Sequence, residues 1–178
     1  GQIDKALEQF ERVYAADPKN AEVAYLIGNF YLDQNRRTDA VKVFRSCIEV
    51  DPFHDGCLNS LAYMYAEERD DLDEALGLIR RALEIEPGNL AYTDTLGWIY
   101  YQKGQYSEAL KELLKVGEGL ADPVVYDHLA DTYFKIGQIE MAKKYWQMSL
   151  GLDPTQDAVK DKLRDLEKGA VAGTAATK

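Results

Sequence analysis

Cys47, His54 and Cys57 fall within one short stretch, and two thiolates with an imidazole at that range are potential zinc donors. No fourth donor stands at a usual spacing, so no metal is expected there. The same cysteines could pair as a disulfide in an oxidising compartment, although two are too few for a disulfide-built scaffold. His128 is followed by Asp131 and preceded by Asp127, a setting in which an imidazole could act as a general base. Neither a nucleophile nor a phosphate-cradling loop accompanies it, so no catalytic residue and no cofactor is expected. The run Glu67, Glu68, Asp70, Asp71, Asp73, Glu74 lacks the alternating ligands and central glycine of a calcium loop. It reads as a solvated turn leading into a helix, where carboxylates meet the positive end of the dipole. Residues 96–110, LGWIYYQKGQYSEAL, gather Trp98, Tyr100, Tyr101 and Tyr106, either to grip a ligand or to fill a helix pair.

Charge narrows the partners. Against 21 Lys and Arg stand 31 Asp and Glu, a net charge of -10, which repels a phosphate backbone and an anionic membrane surface. Nucleic acid is therefore not expected as a partner. No apolar run approaches the roughly 20 residues of a membrane-spanning helix, so direct membrane insertion is not expected either.

The elements that must position these residues come from a repeat. Ala6/Phe10, Ala40/Phe44, Ala75/Ile79, Ala109/Leu113 and Ala142/Trp146 recur at a period of about 34 residues. Val13, Cys47, Ala82, Val116 and Ser149 follow, all small or medium, and then Pro18, Pro52, Pro87 and Pro154; in the fourth unit the proline, Pro123, arrives late. The other half of each unit holds Ile27-Gly28, Leu61-Ala62, Leu96-Gly97 and Leu129-Ala130, each followed by Tyr31, Tyr65, Tyr100 or Tyr133. Apolar residues at i, i+3, i+4 and i+7 make two amphipathic helices per unit. Gly or Ala on the first helix faces Ala on the second, so their axes can approach closely.

This period and these residues resemble the tetratricopeptide repeat over residues 1–156. The resemblance implies an all-α fold, a right-handed superhelical solenoid of antiparallel helix pairs closed by a capping helix. The expected organisation is a solenoid over 1–168 and a disordered tail over 169–178. Within it, 1–20 is the second helix of a truncated repeat, with Gly1 in a turn slot. Residues 21–54, 55–89, 90–122 and 123–156 are complete repeats, and 157–168 is the cap, with Val159, Leu163 and Leu166 as its apolar stripe. Asp122-Pro123 and Asp153-Pro154-Thr155 read as helix starts. One departure is AEERDDLDEA, whose turn carries an extra residue where others carry Gly or Asn.

In this family the inner face of the first helices binds peptides. Carried over residue by residue, the partner-binding set is Tyr25, Asn29, Asn59, Tyr63, Asp94, Trp98, Tyr101, Asp127, Asp131 and Phe134. No Lys or Arg occupies the inner face, whereas Lys42, Arg45, Arg80, Arg81, Lys111, Lys115, Lys143 and Lys144 lie on second helices. Large aromatics at inner-face positions are expected as exposed interface anchors; the alternative is that they pack on neighbouring first helices. The basic clamp that grips the acidic C-termini of heat-shock chaperones is missing, with Tyr25, Asp94 and Asp127 at its positions. The asparagine ladder of repeats attached to sugar transferases is missing too. LNSLAYMYAEERDDLDEALGLIRRALEIEPGNLAYTDTLGWIYY looks like bacterial repeat proteins, many attached to the cell envelope, which leaves envelope, periplasm and cytoplasm open.

The expected function is a non-catalytic scaffold that binds a basic or apolar peptide or partner protein in an acidic, aromatic groove. One alternative is a self-associating scaffold, a homo-oligomer formed because Ile3, Leu7 and Phe10 lack a first-helix partner. The other is a repeat domain serving a catalytic module elsewhere in a longer protein.

Overall fold

The computed structural model describes residues 2–17 and 19–175. Among them lie ten helices and no strand: α1 (Gln2–Ala16), α2 (Ala21–Asp33), α3 (Arg37–Val50), α4 (Asp55–Glu68), α5 (Leu72–Ile85), α6 (Leu90–Gln102), α7 (Tyr106–Gly119), α8 (Pro123–Lys135), α9 (Ile139–Leu152) and α10 (Asp157–Ala175). They pack as the pairs α2–α3, α4–α5, α6–α7 and α8–α9, each pair stacked on the next, and α6 also touches the first helices α4 and α8. The fold is an all-α superhelical solenoid.

Small residues set the spacing inside each pair. Ala40, Ala75, Ala109 and Ala142 are all fully buried, as are Phe44, Ile79 and Leu113 one turn further along. A Cβ on Gly28 would stand 2.3 Å from the Phe44 ring, and one on Gly97 would stand 2.6 Å from Leu113 Cγ. The other two pairs carry Ala62 and Ala130 at the equivalent position. Gly28 is therefore required by the ring opposite. Gly28→Ala is expected to destabilise the fold by about 1–3 kcal/mol through overpacking, despite the better helix propensity of alanine. Adding Phe44→Leu should recover part of that loss. Urea midpoints of both variants check this, and an unchanged midpoint for Gly28→Ala would show that the ring can move aside.

Every turn within a pair uses a residue with positive φ: Asn35 (58°), Arg69 (54°), Gly104 (74°) and Gly137 (80°). That left-handed conformation ends the first helix and is cheap for Gly and tolerable for Asn. The extra residue of the α4–α5 turn adds a second such position, Asp71 at 32°, whose carboxylate caps α5 by accepting from Glu74 N at 3.1 Å. Side chains also start the first helices: Asn20, Asn89 and Asp122 cap α2, α6 and α8, with Pro123 in the first turn.

Asp153-Pro154-Thr155 is not a helix start. Asp153 closes α9 and accepts from Thr155 N at 2.9 Å, and α10 begins beyond this turn. The last helix continues through residues 169–175, where a disordered tail was expected, because alanine favours helix strongly enough to carry Gly169 and Gly173. Residues 176–178 lie outside the described residues. At the other end, Phe10 packs on Phe30 with ring centroids 5.4 Å apart, so α1 is anchored on α2. The side chains of Ile3 and Leu7 lie outside the described residues.

Candidate partner-binding groove

The first helices α4, α6 and α8 bring six of the ten expected residues together: Tyr63, Asp94, Trp98, Tyr101, Asp127 and Asp131. Trp98 is the centre. Its indole stacks on Tyr101 at 4.6 Å and on His128 of the next repeat at 4.0 Å, with interplanar angles of 7° and 13°. Its Nε1 donates to Glu67 Oε1 at 2.7 Å. Tyr63 also lies near His128, ring centroids 6.4 Å apart and tilted.

Burial corrects the expectation of exposed anchors. Trp98 and Tyr101 are each only 8% exposed, because the superhelical twist lays α8 against α6 and covers both rings. The alternative, packing on neighbouring first helices, describes them better. Of the expected aromatics only Phe134, at 43%, is exposed. Asp94 is buried as well, and it holds His128, whose Nδ1 lies 3.0 and 3.1 Å from the two carboxylate oxygens. The carboxylates adjoining His128 in sequence, Asp127 and Asp131, do not pair with it. They pair with Lys162 of α10, whose Nζ donates to Asp127 at 2.7 and 2.9 Å and to Asp131 at 2.8 Å.

Electrostatics follow from this crowding. Burial raises the Asp131 pKa, and Asp127 raises it further, while the Lys162 ammonium and the Trp146 N–H at 3.0 Å pull it back. Burial lowers the Lys162 pKa, but Asp127 and Asp131 outweigh it and leave it raised. The Tyr63 and Tyr101 pKa values are pushed upward by burial and then by neighbouring carboxylates, so both phenols stay neutral.

Two spaces flank Lys162. On one side is a polar cavity of about 350 Å³, bounded by Tyr63, Glu67, Trp98, Asp127 and Asp131. On the other is an apolar cleft of about 590 Å³, between Phe134, Ile139 and Trp146 of α8–α9 and Leu166 of α10. A cleft of that size is in the range of ligand sites. Of the remaining expected residues, Phe134 lines the apolar cleft, and Tyr25, Asn29 and Asn59 lie outside both. Tyr25 packs on Phe44 and His54, with centroids 6.4 and 5.2 Å away. Asn29 is tied to its own helix through Tyr25 O at 3.1 Å, and Asn59 has a buried Oδ1 without a protein partner.

Sequence reasoning missed Glu67, His128, Trp146 and Lys162 as parts of this face. Trp146 was legible as a core residue, and Lys162 gave no signal, because the capping helix has no place in the repeat register.

Of the alternatives the sequence left open for the two cysteines, the structure holds the disulfide. Cys47 and Cys57 form a disulfide that joins α3 to the start of α4, while His54 Nδ1 accepts from Cys57 N at 3.2 Å as the α4 cap. Both sulfurs and that imidazole lone pair are thus committed to structure. The two positions adjoin because the turn between repeats folds α4 directly back on α3. Closing so short a loop is worth about 3 kcal/mol on the chain-entropy account.

A stack of helix pairs with a groove on its first helices defines a repeat solenoid, and its relatives show which kind. The tetratricopeptide-repeat profile matches residues 1–55 and 66–127, and a second profile of the same repeat matches 124–156. The chain belongs to the tetratricopeptide-repeat family. It is 32% identical over 122 residues to a TPR repeat-containing protein of Methanocaldococcus jannaschii, covering 68% of this chain and 21% of that protein. The type IV pilus assembly protein PilF of Pseudomonas aeruginosa is 26% identical over 152 residues, covering 82% of this chain and 59% of PilF. The crystal structure of PilW, a type IV pilus biogenesis factor, superposes with a TM-score of 0.78 at 18% identity, covering 97% of this chain and 82% of PilW. The chain spans about a fifth of the first curated relatives it matches, 21% and 22% of their lengths. Proteins of this family act as protein–protein interaction scaffolds and are generally non-catalytic. No described helix is long and apolar enough to cross a membrane.

Proposed function

We propose that the chain is a non-catalytic scaffold that holds a basic, partly apolar protein segment against the inner face of α4, α6 and α8. One observation carries the reading: Asp127 and Asp131 already bind an ammonium group, that of Lys162, through three hydrogen bonds. Charge-assisted bonds of this kind are the strong ones, and their acceptors select cations over neutral groups. Glu67 adds a carboxylate to the same cavity, and Phe134 adds exposed apolar area beside it. The overall charge of -10 steers basic segments toward the chain.

The test uses two synthetic peptides of equal length and leucine content, one Lys-rich and one Glu-rich, titrated by fluorescence anisotropy. The Lys-rich peptide should bind and the Glu-rich one should not. Asp127→Asn should weaken the Lys-rich complex about tenfold, the effect of one well-placed charge pair. Equal binding of both peptides, or indifference to Asp127→Asn, overturns the reading.

A further inference from the structure

The ammonium in the groove belongs to a helix that fills its place poorly. Lys162 and Leu166 lie one turn apart on the same face of α10. Lys162 occupies the Asp127–Asp131 pair, and Leu166 lines the apolar cleft without filling it, leaving about 590 Å³ open against Phe134, Ile139 and Trp146. Among the described residues of α10 only Val159 is fully buried, and its main packing partner is α9. The apolar walls of so open a cleft stay in contact with water, and a larger side chain would bury them. A helix with the same charged group and a larger apolar one would satisfy the same carboxylates and bury those walls.

Resting on the basic-segment reading above, we propose that Asp127, Asp131 and the Phe134–Trp146 cleft form a docking site for a partner helix. That helix carries Lys or Arg with a large apolar residue four positions later, and α10 is the built-in occupant that it displaces. Charge selects the partner's cation, and the volume of the cleft selects an aromatic or long aliphatic side chain. The Trp98–His128 stack lines the polar cavity on the other side of Lys162, outside the cleft, so binding exchanges one helix for another without rebuilding the pairs.

The experiment uses the full chain and a fluorescein-labelled peptide of residues 157–168 carrying Leu166→Phe. The Lys162→Ser chain leaves the acidic pair free and should bind this peptide about tenfold more tightly than the wild type. A peptide that also carries Lys162→Ser should lose that gain. In the wild-type chain, saturating peptide should speed hydrogen exchange of the α10 amides, a readout that needs no variant. Equal affinity of both chains, or α10 exchange unchanged at saturation, overturns the proposal. If the Lys-rich peptide still depends on Asp127 in that case, the groove reading stands and only the role of α10 falls. A doubled mass of the wild-type chain by light scattering makes the occupant the α10 of a second copy, and overturns the intramolecular assignment.

Discussion

Trp98→Ala is expected to lower stability by about 3–5 kcal/mol, the range for truncating a buried aromatic. The indole joins three first helices at once: Glu67 of α4 through its N–H, Tyr101 beside it on α6, and His128 of α8 through ring stacking. Aromatic pairs add about 0.5–1.5 kcal/mol each beyond the area they bury, and Trp98 makes two. Trp98→Phe retains part of the stack and loses the bond to exposed Glu67, so it should cost only about 1–2 kcal/mol. Denaturant unfolding followed by far-UV and near-UV circular dichroism reads both variants. Loss of less than about 1 kcal/mol in Trp98→Ala would mean that the ring contributes little to joining the repeats. The consequence for binding studies is direct. A groove variant built on Trp98 and Tyr101 removes the floor of the site, so Asp127→Asn or Phe134→Ala is the cleaner probe of contact.

That distinction marks how far the sequence could be read. The helix pairs were legible because their spacing is a local property: Gly28 opposite Ala40 and Phe44 repeats, with small changes, as Gly97 opposite Ala109 and Leu113. That Tyr63, Trp98, Asp127 and Asp131 would lie near one another was legible for the same reason. How much neighbouring helices cover them was not, since it depends on the angle between successive repeats, which accumulates from many contacts. Trp98 and Tyr101 therefore lie on the face expected of them but are buried beneath α8. His128 stood out beside Asp127 and Asp131, yet its partner is Asp94, one repeat earlier, 34 residues away in the chain. A carboxylate and an imidazole one period apart on adjacent first helices was the signal that could have found that pair. The Cys47–Cys57 bridge was similarly readable from the end of one unit and the start of the next.

Asp94→Ala should cost about 3–5 kcal/mol near pH 6, because the buried ring loses its counter-charge and must either stay charged unpaired or give up its proton. The size of that cost should depend on pH. Burial on its own lowers the His128 pKa; the Asp94 carboxylate and its hydrogen bond, with Asp127 on the same helix and Glu67 on α4, reverse this and leave it raised above the ordinary 6.5. The cations facing this region do not undo the effect, since Lys162 is held between Asp127 and Asp131. A pKa raised on folding means that the folded chain binds a proton more tightly than the unfolded chain does. The resulting stability is complete below pH 6.5, the unfolded value, and disappears as pH rises through the folded one. Wild-type stability should thus decline on the alkaline side, and the gap between wild type and Asp94→Ala should narrow from pH 6 toward pH 9. His128→Gln removes the titrating group and should flatten the same stretch of the curve. Urea midpoints of the three proteins across that range decide the matter, and a gap that stays constant would mean that His128 is neutral throughout. Because the ring that carries this proton is also the one stacked on Trp98, the charge state of one buried pair is coupled to the floor of the proposed groove.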